Sequence, residues 1–156
     1  MYIHFLRHAK TNQKSPTGRD FDRELLTRGL EQLEEFRAFI GSKQMDIPHI
    51  ICSSAVRARQ TLSHILSLFP TSSITYQDAL YLASAHEILR LINDKDTSHD
   101  VLVIGHNEGL SDLISYLTDQ ELHMKTCAYI RLSFPFDRSS YISKGTGEIK
   151  ETFRVI

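Results

Sequence analysis

Short runs of consecutive apolar residues alternate along the chain with segments in which apolar residues recur every three or four positions. This is the signature of strands interleaved with helices in a layered α/β domain. Tyr2–Leu6 reads as a first strand. Leu30, Leu33, Phe36 and Ile40 then repeat at helical spacing, which predicts a helix with Thr27 as its N-cap and Gly41 as its stop. His49–Cys52 is a second apolar run, followed by a stripe of Ala58, Leu62, Ile65, Leu66 and Phe69 that predicts a second helix closed by Pro70. Ile74–Tyr76 reads as a short strand, and Ile88, Leu89, Leu91 and Ile92 mark a third helix of about eight to ten residues.

Val101–Ile104 is four consecutive apolar residues between Asp100 and Gly105, as expected of a central strand covered on both faces. A fourth helical stripe follows at Leu110, Leu113, Ile114 and Leu117. Two alternating segments, Ala128–Phe134 and Glu148–Ile156, predict late strands that pair antiparallel at one side of the sheet across a polar loop containing Gly145 and Gly147. Residues 1–156 show no repeat, linker or break in composition, and one domain is expected. The outstanding irregular segment is the polar stretch Lys10–Arg23, a length at which loops tend to be functional or to move over substrate.

Composition narrows the partners. With 41% hydrophobic and 24% charged residues the chain is ordinary globular material. Lys and Arg total 18 against 19 Asp and Glu, a net charge of -1, so the basic excess of a general nucleic-acid or membrane-surface binder is missing. A local cluster of arginines is still enough for one small phosphate. Two cysteines, Cys52 and Cys127, have no CxxC or framework spacing, and no signal-like or membrane-length apolar stretch occurs, so a reducing cytoplasm is the expected setting. The histidines show no HxxxH ligand pattern, which argues against a zinc hydrolase, and no metal or cofactor is expected.

The chemistry gathers where three strands end. Arg7-His8-Ala9-Lys10 follows the first strand, Ser53-Ser54-Ala55-Val56-Arg57 the second, and Gly105-His106-Asn107 the Val101 strand. If these strands are parallel, the three segments share the carboxyl edge of one sheet, where open α/β folds bind their ligands. A phosphoryl group in transfer spreads charge over three equatorial oxygens, and arginine forks plus imidazole donors are suited to hold them. Arg57, in the first turn of a helix, adds the positive end of the helix dipole. A neutral imidazole whose other nitrogen is held by an acceptor is itself a competent nucleophile toward phosphorus. Any one of these side chains alone would ordinarily be a solvated or hydrogen-bonded residue. The shared position of all four carries the hypothesis.

Leu6-Arg7-His8-Ala9-Lys10, Cys52 through Thr61 and Val103-Ile104-Gly105-His106-Asn107 resemble the three signature segments of the histidine phosphatase superfamily, in particular its short branch of SixA-type phosphohistidine phosphatases. Asp20–Leu25 with Leu26-Thr27-Arg28-Gly29, and Leu80–Ser84, are similar to further segments of that branch. The resemblance implies a phosphoglycerate-mutase-like fold, a three-layer α/β/α sandwich around a mostly parallel sheet. It also implies a metal-independent phosphatase in which His8 becomes transiently phosphorylated, with Arg7, Arg57 and His106 around the phosphate. Lys10 and Asn107 are further candidates for phosphate binding, with Ser53 behind them.

The chain departs from longer members of that superfamily, which carry Gly after the nucleophile and a proton-donating carboxylate on an inserted segment. Here Ala9 stands at that position, and little room exists for an insertion between Tyr76 and Asp100. Expelling an alkoxide calls for a general acid, whereas imidazole leaves a phosphoramidate readily. The expected substrate is therefore phosphohistidine in a protein, with small phosphate esters, or a phosphate-binding module without turnover, as alternatives. Asp20, Asp22, Glu87 and Glu108 are the carboxylates left open as an acid. Asp22 is expected to pair with an arginine and Glu108 to favour a helix start, while tyrosines and phenylalanines are assigned mostly to the core. Neither the oligomeric state nor the identity of the partner follows from the residues.

Overall fold

A computed structural model describes residues 1–156, and alternation along its strands decides its layers. In β1 (Tyr2–Arg7), Ile3 and Phe5 join one apolar cluster and Leu6 the other. In β4 (Val101–Gly105), Val101 and Val103 face the first cluster while Leu102 and Ile104 face the second. Both faces of the sheet are therefore covered. One carries α1 (Thr27–Gly41) and α2 (Val56–Ile65), through Leu33, Phe36, Ala58 and Leu62. The other carries α3 (Ala85–Lys95) and α4 (Gly109–Thr118), through Ile88, Ile92, Leu110 and Leu113. Each fully buried side chain of this size contributes roughly 1.5–3 kcal/mol.

The remaining strands are β2 (His49–Ser53), β3 (Ser73–Gln77), β5 (Met124–Ser133) and β6 (Glu148–Val155). The six form one sheet in the order β3-β2-β4-β1-β5-β6. β3, β2, β4 and β1 run parallel to their neighbours, while β5 pairs antiparallel with both β1 and β6. The fold is the layered α/β domain that the alternating pattern implied, and the three-layer sandwich that the resemblance implied. β1, β4 and β2 are adjacent, so the segments after them meet at one edge.

Several boundaries differ from the sequence reading for identifiable reasons. Thr27 is the first helical residue of α1, not its cap; Leu26 is the N-cap, and its amide donates to the Lys10 carbonyl at 2.9 Å. Gly41 is still helical, and the turn closes through Ser42, whose hydroxyl donates to the Phe39 carbonyl at 2.9 Å. α2 ends at Ile65, and Leu66–Leu68 form a 3₁₀ turn ahead of Pro70. α3 begins at Ala85, three residues before its apolar stripe, because Ser84 and Glu87 form a reciprocal capping box. β5 begins at Met124 rather than Ala128. Cys127 has φ 59 within a register shift against β6, and that bulge breaks the alternation on which the strand was read.

The long polar loop is fastened to this frame at its base. Asn12 N–H donates to the Glu24 carbonyl at 2.9 Å, Thr11 bridges Leu25, and Lys10 N–H donates to Gln32 Oε1 at 2.9 Å. Gly29 permits this docking, because a Cβ there would run into the Lys10 carbonyl oxygen. Gly29→Ala is therefore expected to destabilise the protein by about 1–3 kcal/mol in urea unfolding. Gly41→Ala is its control: the added Cβ would lie 3.7 Å from Leu68 Cδ2, an ordinary contact, and stability should hold or rise. Equal effects from the two would contradict the close packing of the loop.

Candidate active site

β1 pairing continues past its last residue: His8 N–H donates to the Gly105 carbonyl at 3.1 Å, and Cys127 N–H donates to the His8 carbonyl at 3.0 Å. His8 is thus pinned between the ends of β4 and β5. Ala9 next to it is fully buried, and its amide donates to Thr61 Oγ1 at 3.1 Å, so a larger side chain would have no space there. Thr61 in turn donates to the Arg57 carbonyl at 2.7 Å, tying the first turn of α2 to the loop after β1.

A cavity of about 360 Å³ opens at this edge. Its walls include all six candidates from the sequence: Arg7, His8, Lys10, Arg57, His106 and Asn107. The two imidazole rings lie 5.2 Å apart, centre to centre. His8 is 6% exposed, Arg57 3% and His106 2%, so the reactive groups stand at the bottom. Lys10 is exposed at the mouth. Asn107 lines the wall with its amide already engaged, its Nδ2 donating to the Met124 carbonyl at 2.8 Å and its Oδ1 accepting from Ser111 at 2.7 Å. Arg7 Nη1 donates to the same Met124 carbonyl at 2.9 Å.

One hydrogen bond assigns the ring proton of His8. His8 Nδ1–H donates to the Ala9 carbonyl at 2.8 Å, which leaves the Nε2 lone pair for chemistry. Ser53 Oγ accepts the Ala55 amide at 3.2 Å and is hydrogen-bonded at 2.7 Å to Nε2 of His106, whose other ring nitrogen is Nδ1. That Nδ1 is buried without a partner, as are Arg7 Nε and Arg57 Nε. An unpaired buried polar group costs about 1–3 kcal/mol, and their gathering in one place marks a region suited to acceptor oxygens.

Both imidazoles are held neutral. Burial lowers the His8 pKa well below its ordinary value, aided by His106, Arg57 and Arg7, although the Ala9 hydrogen bond opposes the shift. Burial, then Arg57 and Arg7, lowers His106 to about 3. A conventional histidine would be partly protonated, and therefore not nucleophilic, near pH 6.5.

Asp20 is the carboxylate of the site. Arg57 Nη1 donates to its carbonyl at 2.8 Å and Nη2 to its Oδ2 at 3.0 Å, while Arg23 Nη1 reaches its Oδ1 at 3.0 Å. Tyr81 donates to Oδ2 at 2.5 Å. With the Tyr81 hydrogen bond as the largest cause, then Arg23 and Arg57, Asp20 is held far below the usual carboxylate range. The arginine partner is Asp20 and not Asp22, which instead accepts from the Thr17 hydroxyl at 2.5 Å. The two acids belong to one 3₁₀ turn, Asp20–Asp22, whose period of three turns them to different sides. Glu87 is consumed by the α3 capping box, and Glu108 occupies the N-cap position of α4; neither lines the cavity.

Tyr81 is an exception to the expected placement of most tyrosines and phenylalanines in the core. Its ring meets His106 edge-on at 5.6 Å, lies 5.6 Å from Arg57 Cζ, and packs against Phe21 at 5.0 Å. The signal available was its position in the Leu80–Ser84 segment, immediately before Leu82, which is 56% exposed and lines the cavity. Nowhere in the chain do three or more His, Cys, Asp or Glu side chains gather in a way that could hold a metal ion.

The family described as "Histidine phosphatase superfamily (branch 1)" matches residues 3–81, a span that carries His8 and Arg57. The chain belongs to the histidine phosphatase superfamily. An uncharacterised protein of Mycobacterium tuberculosis is 33% identical over 110 residues, covering 69% of this chain and 66% of that protein. In structure the chain is similar to a protein given the name phosphohistidine phosphatase SixA from Nakamurella multipartitia, with TM-score 0.85, 21% identity and coverage of 97% and 94% of the two chains. It is also similar to the protein histidine phosphatase SixA complexed with tungstate, with TM-score 0.77, 20% identity and coverage of 99% and 97%. Membership in the histidine phosphatase superfamily makes phosphatase the enzyme class of this chain.

The neutral imidazoles have a consequence for stability. His4, buried against Tyr129 and Asp100, is shifted down as well, by burial above all. For all three histidines the folded pKa lies under the unfolded value of about 6.5, so the unfolded chain takes up protons first. Their contribution is complete above that pH and is lost as pH falls below it, by up to about 1.4 kcal/mol per pH unit for each group. Urea unfolding at pH 7 and pH 5 should show a loss of at least about 2 kcal/mol, while the His8 and His106 ring resonances of the folded protein stay unshifted. Titration of either ring near pH 6.5 would contradict the assigned environment.

Proposed function

We propose that this protein is a metal-independent phosphatase that works through a phosphorylated His8 and acts on phosphohistidine in proteins. The observation that carries this reading is the His8 ring: Nδ1–H is fixed on the Ala9 carbonyl, and the neutral ring stands among Arg7, Arg57 and His106. In the first step His8 Nε2 attacks phosphorus, the P–N bond of the substrate breaks, and imidazole leaves with the electron pair and takes a proton from water. Water then attacks the phosphorus on His8, the second P–N bond breaks, and inorganic phosphate and the free histidine are restored. Arg7, Arg57 and His106 stabilise charge on the equatorial oxygens, the task that cations perform at phosphoryl-transfer sites generally. The SixA structure complexed with tungstate shows that this relative binds a tetrahedral oxyanion, which is in keeping with the reading.

The choice of leaving group rests on protons. Asp20, the carboxylate on the cavity wall, is kept ionised by Tyr81 and two arginines, so it is a poor proton donor at neutral pH. An alkoxide leaving group needs such a donor and imidazole does not. Access favours a protein substrate too: β3 passes to α3 through residues 78–84 alone, a 3₁₀ turn and a cap, with no inserted lid. The two thiols, buried and unpaired, suit the reducing cytoplasm in which we place the reaction.

With chelator present, the protein is expected to release phosphate from a phosphohistidine-carrying protein, and more efficiently than from p-nitrophenyl phosphate. His8→Ala should abolish both activities. Equal efficiency on the ester, or activity that survives in His8→Ala, would overturn the reading. Arg57→Ala should reduce turnover by about two orders of magnitude, as for loss of a transition-state donor, in a protein whose circular dichroism is unchanged. A near-normal rate would remove Arg57 from the chemistry.

A further inference from the structure

The catalytic chemistry leaves part of the Lys10–Arg23 loop unused. Beside the phosphoryl cavity this loop encloses a second recess of about 510 Å³, which shares Gln13, Asp20 and Arg23 with the first. Lys14 and Arg19 stand on its far wall, and none of its lining residues is hydrophobic. Asp20 is its one carboxylate, and that charge is already taken by Arg57 and Arg23. Lys10, Lys14 and Arg19 are exposed, and no carboxylate lies within ion-pair distance of any of them. In a chain of net charge -1, the loop carries Lys10, Lys14, Arg19 and Arg23 against Asp20 and Asp22, a local excess of positive charge next to the reactive histidine.

The loop that carries them is built, not slack. Arg23 ties it from inside, Nε donating to the Asn12 carbonyl at 2.7 Å and Nη2 to Thr11 Oγ1 at 2.6 Å. Lys14 N–H donates to Asn12 Oδ1 at 3.1 Å, and Arg19 N–H donates to Thr17 Oγ1 at 3.3 Å. The Arg19 guanidinium lies 5.9 Å from the Phe21 ring, which packs on Tyr81 and so on the catalytic wall. The cations are therefore held in a fixed relation to the phosphoryl cavity. Because no aromatic ring lines the recess, it offers a nucleobase nothing to stack on; ionised carboxylates suit its lysine and arginine heads.

We infer that this recess binds acidic side chains flanking the phosphohistidine of a protein substrate, with Lys14 and Arg19 as the specificity-determining residues. The inference rests on the phosphohistidine phosphatase reading and adds to it which sequences around the phosphohistidine are preferred. Two exposed charge pairs of ordinary strength correspond to about a five- to tenfold preference at low salt, which screening reduces as ionic strength rises.

The test uses matched phosphohistidine peptides with Glu or Ser on either side of the phosphorylated residue, and phosphoramidate as a substrate without flanks. Wild type is expected to show a kcat/KM about five- to tenfold higher for the Glu-flanked peptide at low salt, expressed in KM and falling as salt is added. The double variant Lys14→Glu, Arg19→Glu should lose or invert that preference while its kcat/KM on phosphoramidate stays within about twofold, since neither residue lines the phosphoryl cavity. Turnover of both peptides without preference, or a preference that survives in the double variant, would overturn the inference and leave the phosphohistidine phosphatase reading standing; turnover of phosphoramidate alone would overturn the inference together with the protein substrate, leaving only the phosphorylated His8. Failure of wild type on all three substrates would overturn both.

Discussion

The structure depends on keeping like charge together. Two guanidinium groups and two imidazoles converge where β1, β4 and β2 end, and in a buried setting such a cluster repels itself unless something relieves it. Two devices do so here. The imidazoles stay neutral, because burial and the neighbouring arginines make a third and fourth positive charge too costly. Arg57 is met by Asp20, which reaches across from the long loop and is held in turn by Arg23 and Tyr81. The loop is thus part of the site's charge balance as well as its wall.

These constraints select the chemistry. A neutral histidine with Nδ1–H fixed on a backbone carbonyl is a prepared nucleophile, and its neutrality needs no general base. Asp20 takes the two terminal nitrogens of Arg57 and leaves its Nε without a partner in the resting protein. The Tyr81 hydrogen bond, with Arg23 and Arg57, keeps Asp20 ionised in the resting protein. A site organised in this way is strong in oxyanion stabilisation and weak in proton donation, which is why the nature of the leaving group matters more than its size.

The parts of this arrangement that were legible in the sequence are those fixed by local pattern. Val101–Ile104, buried on both faces, and the strands that end at Arg7, Ser53 and Gly105 follow from apolar runs ending in polar residues, whereas their parallel, adjacent order, on which the convergence of His8, Arg57 and His106 was conditional, comes from the sheet pairing. What escaped was set by tertiary contact. Asp20 and Asp22 are interchangeable in sequence, and only the 3₁₀ turn decides which one meets Arg57. Tyr81 carries no local mark of its contact with His106, and the bulge at Cys127 hid the first residues of β5. Thr27 has the chemistry of a cap, yet the docking of Leu26 onto Lys10 moved the cap back by one residue. Asn107 stands where it was expected but spends its amide on Met124 and Ser111.

The central claim is that His8 carries the phosphoryl group, and on one particular nitrogen. Rapid quench of the protein with labelled phosphoramidate, followed by peptide mapping and phosphorus NMR, measures this directly. The account predicts an acid-labile, base-stable label on His8, bonded at Nε2, that forms and decays fast enough to account for turnover. Phosphate release without any such label, a label on His106, or a label at His8 Nδ1 would contradict it.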